Sequence, residues 1–308
     1  MTDAPRLLPV LQEQTSGAPP VFVRIAVVGL GLIGGSIALA ARRAWPSALV
    51  IGVDRSAVLE RAMTRHAVDV ASEDLTIISD ADLVVLATPV GSIIDLIPAL
   101  DRTLASDAVV TDVGSTKRAI VSAARALPSR LTFVGGHPLA GAATAGIDAA
   151  RADLFAGRPW ILIAEDGARA DVVSHLSAFA QGLGAKPVTL PSSAAHDRLL
   201  AFLSHLPQLT ATALMAIVGD EIGEDGLALA GGGLRDTTRL ASSPADIWRD
   251  ICLTNGDEIG ASLDALIALL QEMRQHLTDG ATIDRVFASA NRWRDLLPGV
   301  DKARSSSA

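Results

Sequence analysis

Arg24-Ile25-Ala26-Val27-Val28-Gly29-Leu30-Gly31-Leu32-Ile33-Gly34-Gly35-Ser36 is the stretch on which the reading of this chain turns. An apolar run meets G-x-G-x-x-G, and a helical pattern follows through Arg43. Each glycine meets a separate demand. Gly29 permits a tight turn, Gly31 lets a pyrophosphate approach the backbone, and Gly34 lets the helix pack closely on the strand. The first helical residues, from Leu32 and Ile33 onward, offer unpaired N–H groups and the positive end of a helix dipole, a natural seat for a phosphate beside Leu30. The next apolar run, Leu49–Val53, ends in Asp54, twenty residues after Gly34. A carboxylate there accepts hydrogen bonds from a ribose diol and repels a 2′-phosphate, which points to NAD. Arg55 follows at once and could pair with a 2′-phosphate, so NADP stays open.

Working outward, continuous apolar runs recur at Val23–Val28, Leu49–Val53, Leu83–Ala87, Ala108–Val113, Leu131–Val134 and Trp160–Ala164, most of them separated by helical patterns. Continuous rather than alternating runs mark strands covered on both faces. The expected class is α/β, a Rossmann-type doubly wound, largely parallel sheet over residues 21–190. After Pro191 helical periodicity takes over. Ile259, Leu263, Leu266, Leu270, Met273 and Leu277 form an apolar seam with steps of four and three, suited to packing within its own domain or against a second subunit. An all-helical dimerisation domain is expected over 191–298, with a disordered tail at 1–20 and a loose one at 299–308. The helical half, about 110 residues, has a limited core of its own.

The 308 residues fit about two domains, and 49% hydrophobic content is enough for a sizeable core. A single cysteine, Cys252, excludes an intramolecular disulfide framework and fits a reducing cytoplasm. The net charge of −8 makes nucleic acid an unsuited partner, and no metal site is expected. Leu199–Gly219 carries no charge, but it contains His205, Pro207 and Gln208, so it is read as a core helix rather than a membrane span. The N-terminus lacks a basic leader pattern.

Ligands in such sheets sit at the carboxyl ends of the strands. Thr88-Pro89, Asp112-Val113-Gly114-Ser115 and Gly135-Gly136-His137-Pro138 all fall there. Thr88, Pro89 and Asp112 are therefore assigned to the cofactor, and Ser115 and His137 to the chemistry. A neutral imidazole accepts a proton from an alcohol as hydride leaves its carbon. Ser115 either holds the tautomer of His137 or binds the same hydroxyl. With no tyrosine in the chain, no Tyr hydroxyl can serve as acid or base. In the helical half, Arg235 and Arg239 follow three glycines; each is either a bidentate carboxylate ligand or a charge with a structural partner. Trp248 is read as core.

Together these motifs resemble the prephenate and arogenate dehydrogenases. The matching pieces are GLGLIGGS (29–36), ATPV (87–90), DVGSTK (112–117), GGHPLAG (135–141), HD (196–197), SHLP (204–207), GGGLRDTTRLASS (231–243) and IWRDI (247–251). The resemblance implies NAD-dependent oxidative decarboxylation of prephenate to 4-hydroxyphenylpyruvate, or of arogenate to tyrosine, by a homodimer formed through the helical half. It implies His137 as the catalytic histidine, Ser115 as the residue orienting the ring hydroxyl, and Arg239 as the substrate-carboxylate ligand, with His205, Gln208 and Arg235 on the substrate side. Two positions depart from the pattern. A Glu common after the HPxAG motif is replaced by Ala142-Ala143-Thr144-Ala145, and a second His after SHLP is Gln208. Without that carboxylate, the ammonium of arogenate has no evident partner, which favours prephenate; an amino-substituted prephenate also fits. A 3-hydroxyacid-type dehydrogenase, the competing enzyme class, uses a helical-domain lysine, and the three lysines here, Lys117, Lys186 and Lys302, lie in no helical motif.

Overall fold

The computed structural model describes residues 19–142, 144–165 and 169–297. The expected tails therefore lie almost wholly outside the described residues, as does Ala143. Two compact units are present, one up to Gly256 and one from Asp257 onward.

The first unit is built on six parallel strands: β1 (Arg24–Val28), β2 (Leu49–Val53), β3 (Val70–Ser72), β4 (Leu83–Leu86), β5 (Ala108–Asp112) and β6 (Leu131–Val134). Their spatial order is β3-β2-β1-β4-β5-β6. The order reverses between β1 and β4, and the crevice beyond their carboxyl ends is where such sheets take ligands. Helices α1 (Leu32–Ala44), α2 (Ser56–Thr64), α3 (Val90–Thr103) and α4 (Arg118–Ala124) follow the strands. One apolar layer gathers Ile37, Trp45, Phe155 and Phe179; the other gathers Ile93, Ile97, Leu100 and Ile120. Burial on both faces explains why β1, β2, β4 and β5 read as unbroken apolar runs, whereas β3, Val70-Ala71-Ser72 at the sheet edge, is half-buried and shows no such run.

The expected sixth strand at Trp160–Ala164 forms, but outside this sheet. It is the middle of a second, three-stranded sheet, β7 (Gly136–Pro138), β8 (Pro159–Ile163) and β9 (Lys186–Leu190), with α5 (Ala170–Gly182) between β8 and β9. Only Gly135 separates β6 from β7, too short a link for the crossover a parallel neighbour requires. The chain instead turns into a new layer, where β7 pairs antiparallel with β8 and His137 faces Ile161 in register. The side chain of Asp112 ties this layer to the large sheet by accepting the Gly136 N–H at 3.1 Å.

Helix α6 (Ser193–Leu200) begins at Ser192, whose hydroxyl accepts the Ala195 N–H and caps it. A π-helical turn, Ala201–His205, leads into α7 (Leu206–Leu227), and α8 (Gly232–Thr238) and α9 (Ala245–Thr254) follow. In the single chain these helices belong to the first compact unit, which extends to Gly256. The reason is local. Asp197 of α6 accepts the N–H groups of Lys117 and Arg118 at the start of α4, fastening the helical segment to the sheet domain.

The run Ser193–Leu227 is long and apolar enough to cross a membrane, and 22% of its most apolar window is buried. The core burial expected for 199–219 is thus not met within one chain. In α7 only Gln208 and Ala211 are buried, and Ile217 stays 64% exposed. The second unit holds most of α10 (Gly256–Gln275) and α11 (Gly280–Arg294), the latter capped by Asp279. Glu272 and Arg285 pair at 2.5 Å between them. Along the predicted seam Ile259 is buried, while Leu270 and Leu277 are exposed.

Candidate active site

A cavity of about 720 Å³ opens at the carboxyl ends of β1, β4 and β5. Its walls bring together Gly31, Leu32 and Ile33 from the glycine turn, Thr88 and Pro89 from the end of β4, Ser115 from the loop after β5, and His137 from β7. The far side is closed by Leu203 and Ser204 of the π turn and by Ser243, Trp248 and Asp250 near α9. Trp248, read from sequence as core, lines the cavity instead and meets His205 edge-on at 6.0 Å.

The glycine turn has the shape its sequence requires. Gly29 has φ +95°, and a Cβ on it would sit 2.8 Å from the Ala87 carbonyl. A Cβ on Gly34 would lie 1.9 Å from the Gly29 carbonyl oxygen. One on Gly31 would meet nothing within 4 Å, so the backbone there faces open space. Gly31 caps α1 without a side-chain hydrogen bond, leaving the helix N–H groups available to an anion. Asp54 accepts the Leu30 N–H at 2.6 Å and the Arg55 N–H at 2.7 Å. A carboxylate has about four acceptor sites, so capacity remains for a diol. The Arg55 side chain is 89% exposed. The Thr88 hydroxyl is buried with no partner among the described residues, a donor held in reserve at the cavity wall. These features fit a dinucleotide.

Asp112 does not. Its side chain is fully buried, bonded to Lys117 Nζ and to the N–H groups of Gly114 and Gly136. It braces the floor beneath His137 and does not reach the cofactor groove. The strand-end rule located the loop correctly; the side chain of the strand's last residue points the other way. Burial lowers the pKa of Lys117, and the Asp112 carboxylate opposes that shift.

His137 is half-buried. Its Nδ1 lies 2.9 Å from Nε2 of His196, whose Nδ1 lies 2.8 Å from Asp197 Oδ1. Burial, then the neighbouring His196, Lys117 and His205, hold His137 well below the usual histidine value, so it is neutral near pH 7. Burial also lowers His196, against the opposing bond to Asp197. For Asp197 burial would raise the pKa, but hydrogen bonds from His196 and from the Arg118 and Lys117 amides win and keep it ionised. The sequence showed His196-Asp197 only as a motif without a task. What it could not show is that α6 returns over β7.

The helical residues divide. Burial lowers His205 to about 4, with Asp197 opposing and His196 adding to the shift. It contacts Asn255 at 3.3 Å behind the cavity wall. Gln208 is also behind the wall. Its amide donates to the Leu240 carbonyl at 2.7 Å and its oxygen accepts from Ser243, so it sets the wall rather than touching the cavity. Arg235 and Arg239 are exposed in the single chain and do not line the cavity, although Arg239 starts the turn that ends at Ser243.

Comparison with known proteins decides the family. Residues 37–189 match the family model "Prephenate dehydrogenase, nucleotide-binding domain" and residues 192–288 match "Prephenate dehydrogenase, dimerization domain". The chain belongs to the prephenate dehydrogenase family. Among the members of this prephenate dehydrogenase family, the prephenate dehydrogenase of Bacillus subtilis (strain 168) is 36% identical over 282 residues, covering 89% of this chain and 76% of the relative. The arogenate dehydrogenase of Synechocystis has a solved structure with TM-score 0.77 and 32% identity, covering 88% of this chain and 99% of that one. The prephenate dehydrogenase of A. aeolicus, solved with hydroxyphenyl propionate and NAD+, gives TM-score 0.82 at 25% identity, covering 89% and 98%. The two family models part near residue 190, where the helical segment begins.

Proposed function

We propose that this protein is an NAD-dependent prephenate dehydrogenase, converting prephenate to 4-hydroxyphenylpyruvate and CO2 on the way to tyrosine. The observation that carries the proposal is the meeting, in one cavity, of a phosphate-binding turn with Ser115 and a neutral His137. Gly31 and the first turn of α1 hold the pyrophosphate, Asp54 the ribose diol, and Thr88 and Pro89 the nicotinamide end. When bound, the dinucleotide supplies the hydride acceptor. His137 accepts the proton of the ring hydroxyl as hydride leaves the carbon bearing it. Ser115 orients that hydroxyl. As the carboxylate departs as CO2, its electron pair aromatises the ring and the proton returns to the phenolic oxygen.

Arg239, with Arg235 beside it, is assigned to a substrate carboxylate. Support comes from the chain path, since Arg239 leads into Ser243 and Pro244 of the cavity wall. Prephenate is favoured over arogenate because the wall formed by Ala142, Thr144 and Ala145 offers no carboxylate to an ammonium; the carboxylate of Asp250, across the cavity, accepts the Gly91 N–H at 3.4 Å. The likeness to the Synechocystis arogenate dehydrogenase keeps arogenate as the second reading.

The protein acts as a soluble, cytoplasmic homodimer in this reading. The exposed apolar surface of α7 needs a cover, and the match of 192–288 to a dimerization domain agrees with a second copy as that cover. The domains are assigned as 21–190 for the cofactor and 191–298 for substrate and dimer. Steady-state kinetics with prephenate and arogenate, each with NAD and NADP, test the proposal. The expected result is a kcat/KM highest for prephenate with NAD, and loss of turnover with retained NAD binding in His137→Asn. Undiminished turnover in that variant would overturn the assignment.

A further inference from the structure

The hydrogen bonds behind His137 have a fixed direction. Asp197, ionised, can only accept. It takes the N–H of Lys117 at 2.7 Å, the N–H of Arg118 at 2.9 Å and the Arg118 Nε–H at 3.3 Å. His196 Nδ1, 2.8 Å from Asp197 Oδ1, must therefore carry its hydrogen and donate. A neutral His196 then has its lone pair on Nε2, and the atom facing that lone pair at 2.9 Å is His137 Nδ1. For this contact to be a hydrogen bond, His137 Nδ1 must also carry a hydrogen. The lone pair of neutral His137 is left on Nε2, the nitrogen not engaged by the relay. Imidazole side chains in water favour the opposite tautomer, with the hydrogen on Nε2, so the protein has to impose this one.

We infer that His196 and Asp197 are positioning residues that hold His137 in the tautomer whose Nε2 lone pair is available to the substrate hydroxyl. The inference rests on the reading of His137 as proton acceptor. Both residues are fully buried, and neither lines the cavity that His137 faces. They have an electrostatic role as well. When His137 takes the proton, its Nδ1–H keeps its acceptor, and the Asp197 carboxylate one imidazole further back stabilises the cation. The other charged groups nearby largely offset one another, because Lys117 is paired with Asp112, and Arg118 with Asp197 itself. His205, the remaining titratable neighbour, stays neutral through burial. The arrangement follows the logic by which a carboxylate sets the tautomer of a catalytic histidine, here extended by one imidazole.

The test compares His196→Leu with His196→Gln. Leucine fills space but accepts nothing from His137. Glutamine can donate its amide to Asp197 and accept the His137 Nδ1–H on its carbonyl. His196→Leu is expected to lower kcat by ~10²-fold or more, as loss of the correct tautomer does elsewhere. His196→Gln is expected to recover at least ~10-fold of that loss, with NAD affinity unchanged in both and any fall in melting temperature confined to His196→Leu, which removes a donor to the buried Asp197. The ¹⁵N spectrum of histidine-labelled wild-type protein is expected to show the His137 hydrogen on Nδ1, and that of His196→Leu a shift towards Nε2. A merely structural role would not move this signal. Wild-type spectra with the hydrogen on Nε2 would overturn the inference even if no variant folds. So would wild-type kcat in His196→Leu while His137→Asn is inactive, a result that leaves the assignment of His137 standing. Turnover in His137→Asn would instead remove the reading on which the relay depends.

Discussion

Acid should destabilise this protein through its buried imidazoles, and His205 gives the effect a size. The side chain is 1% exposed, and burial, opposed by Asp197 and helped by His196, lowers its pKa from 6.5 to about 4. The unfolded chain takes up this proton near pH 6.5 and the folded chain only near 4. The stabilising contribution is therefore complete above pH 6.5, declines through the window and is gone below 4. From pH 7 to 4.5 a shift of this size removes about 2 kcal/mol. His137 and His196 are pushed the same way and steepen the fall. The assay is urea unfolding of wild type and His205→Gln at fixed protein concentration, from pH 7 to 4.5. Glutamine keeps a polar group beside Asn255 and cannot titrate. The variant should lose about 2 kcal/mol less than wild type over that range, so the two curves converge as pH falls. Parallel curves would refute the reasoning, because they would mean that His205 protonates equally easily in both states.

Three further outcomes follow from the geometry. Gly34→Ala places a methyl 1.9 Å from the Gly29 oxygen and should cost about 1–3 kcal/mol in thermal melts along with NAD binding, whereas Gly31→Ala, which meets nothing within 4 Å, should melt like wild type yet bind NAD more weakly in a fluorescence titration. Lys117→Met leaves the Asp112 carboxylate buried without its cation and should destabilise by about 3–5 kcal/mol in denaturant; an unchanged midpoint would show that the pair contributes nothing. Asp54→Ser should move the ratio of kcat/KM for NAD over NADP by ~10-fold or more towards NADP, about 1.4 kcal/mol, and an unmoved ratio would take Asp54 out of cofactor choice.

Much of this molecule is written locally in its sequence. The glycine turn is one case, because a φ of +95° at Gly29 and the absence of room for a Cβ at Gly34 are demands that only glycine satisfies. Five of the six parallel strands are another, since burial forces unbroken apolar runs; the half-buried edge strand β3 carries no such run. The strand-end rule points Thr88, Ser115 and His137 to one end of the sheet, and all three line one cavity.

What tertiary structure alone decided is how side chains from distant segments face one another. Asp112 turned inward to Lys117, Trp248 turned towards the cavity, and β8 left the parallel sheet for a second one. His196, 59 residues from His137, came to lie beside it, and Gln208 bonded Leu240 and Ser243 behind the cavity wall. Such pairings depend on long-range packing, and a one-dimensional pattern carries only the period and polarity of each segment. The sequence alone determined the turn, five of the six parallel strands and the imidazole that lines the cavity. Only the fold decided what stands behind that imidazole, because the partner of a buried polar group is selected by distance in space and not along the chain.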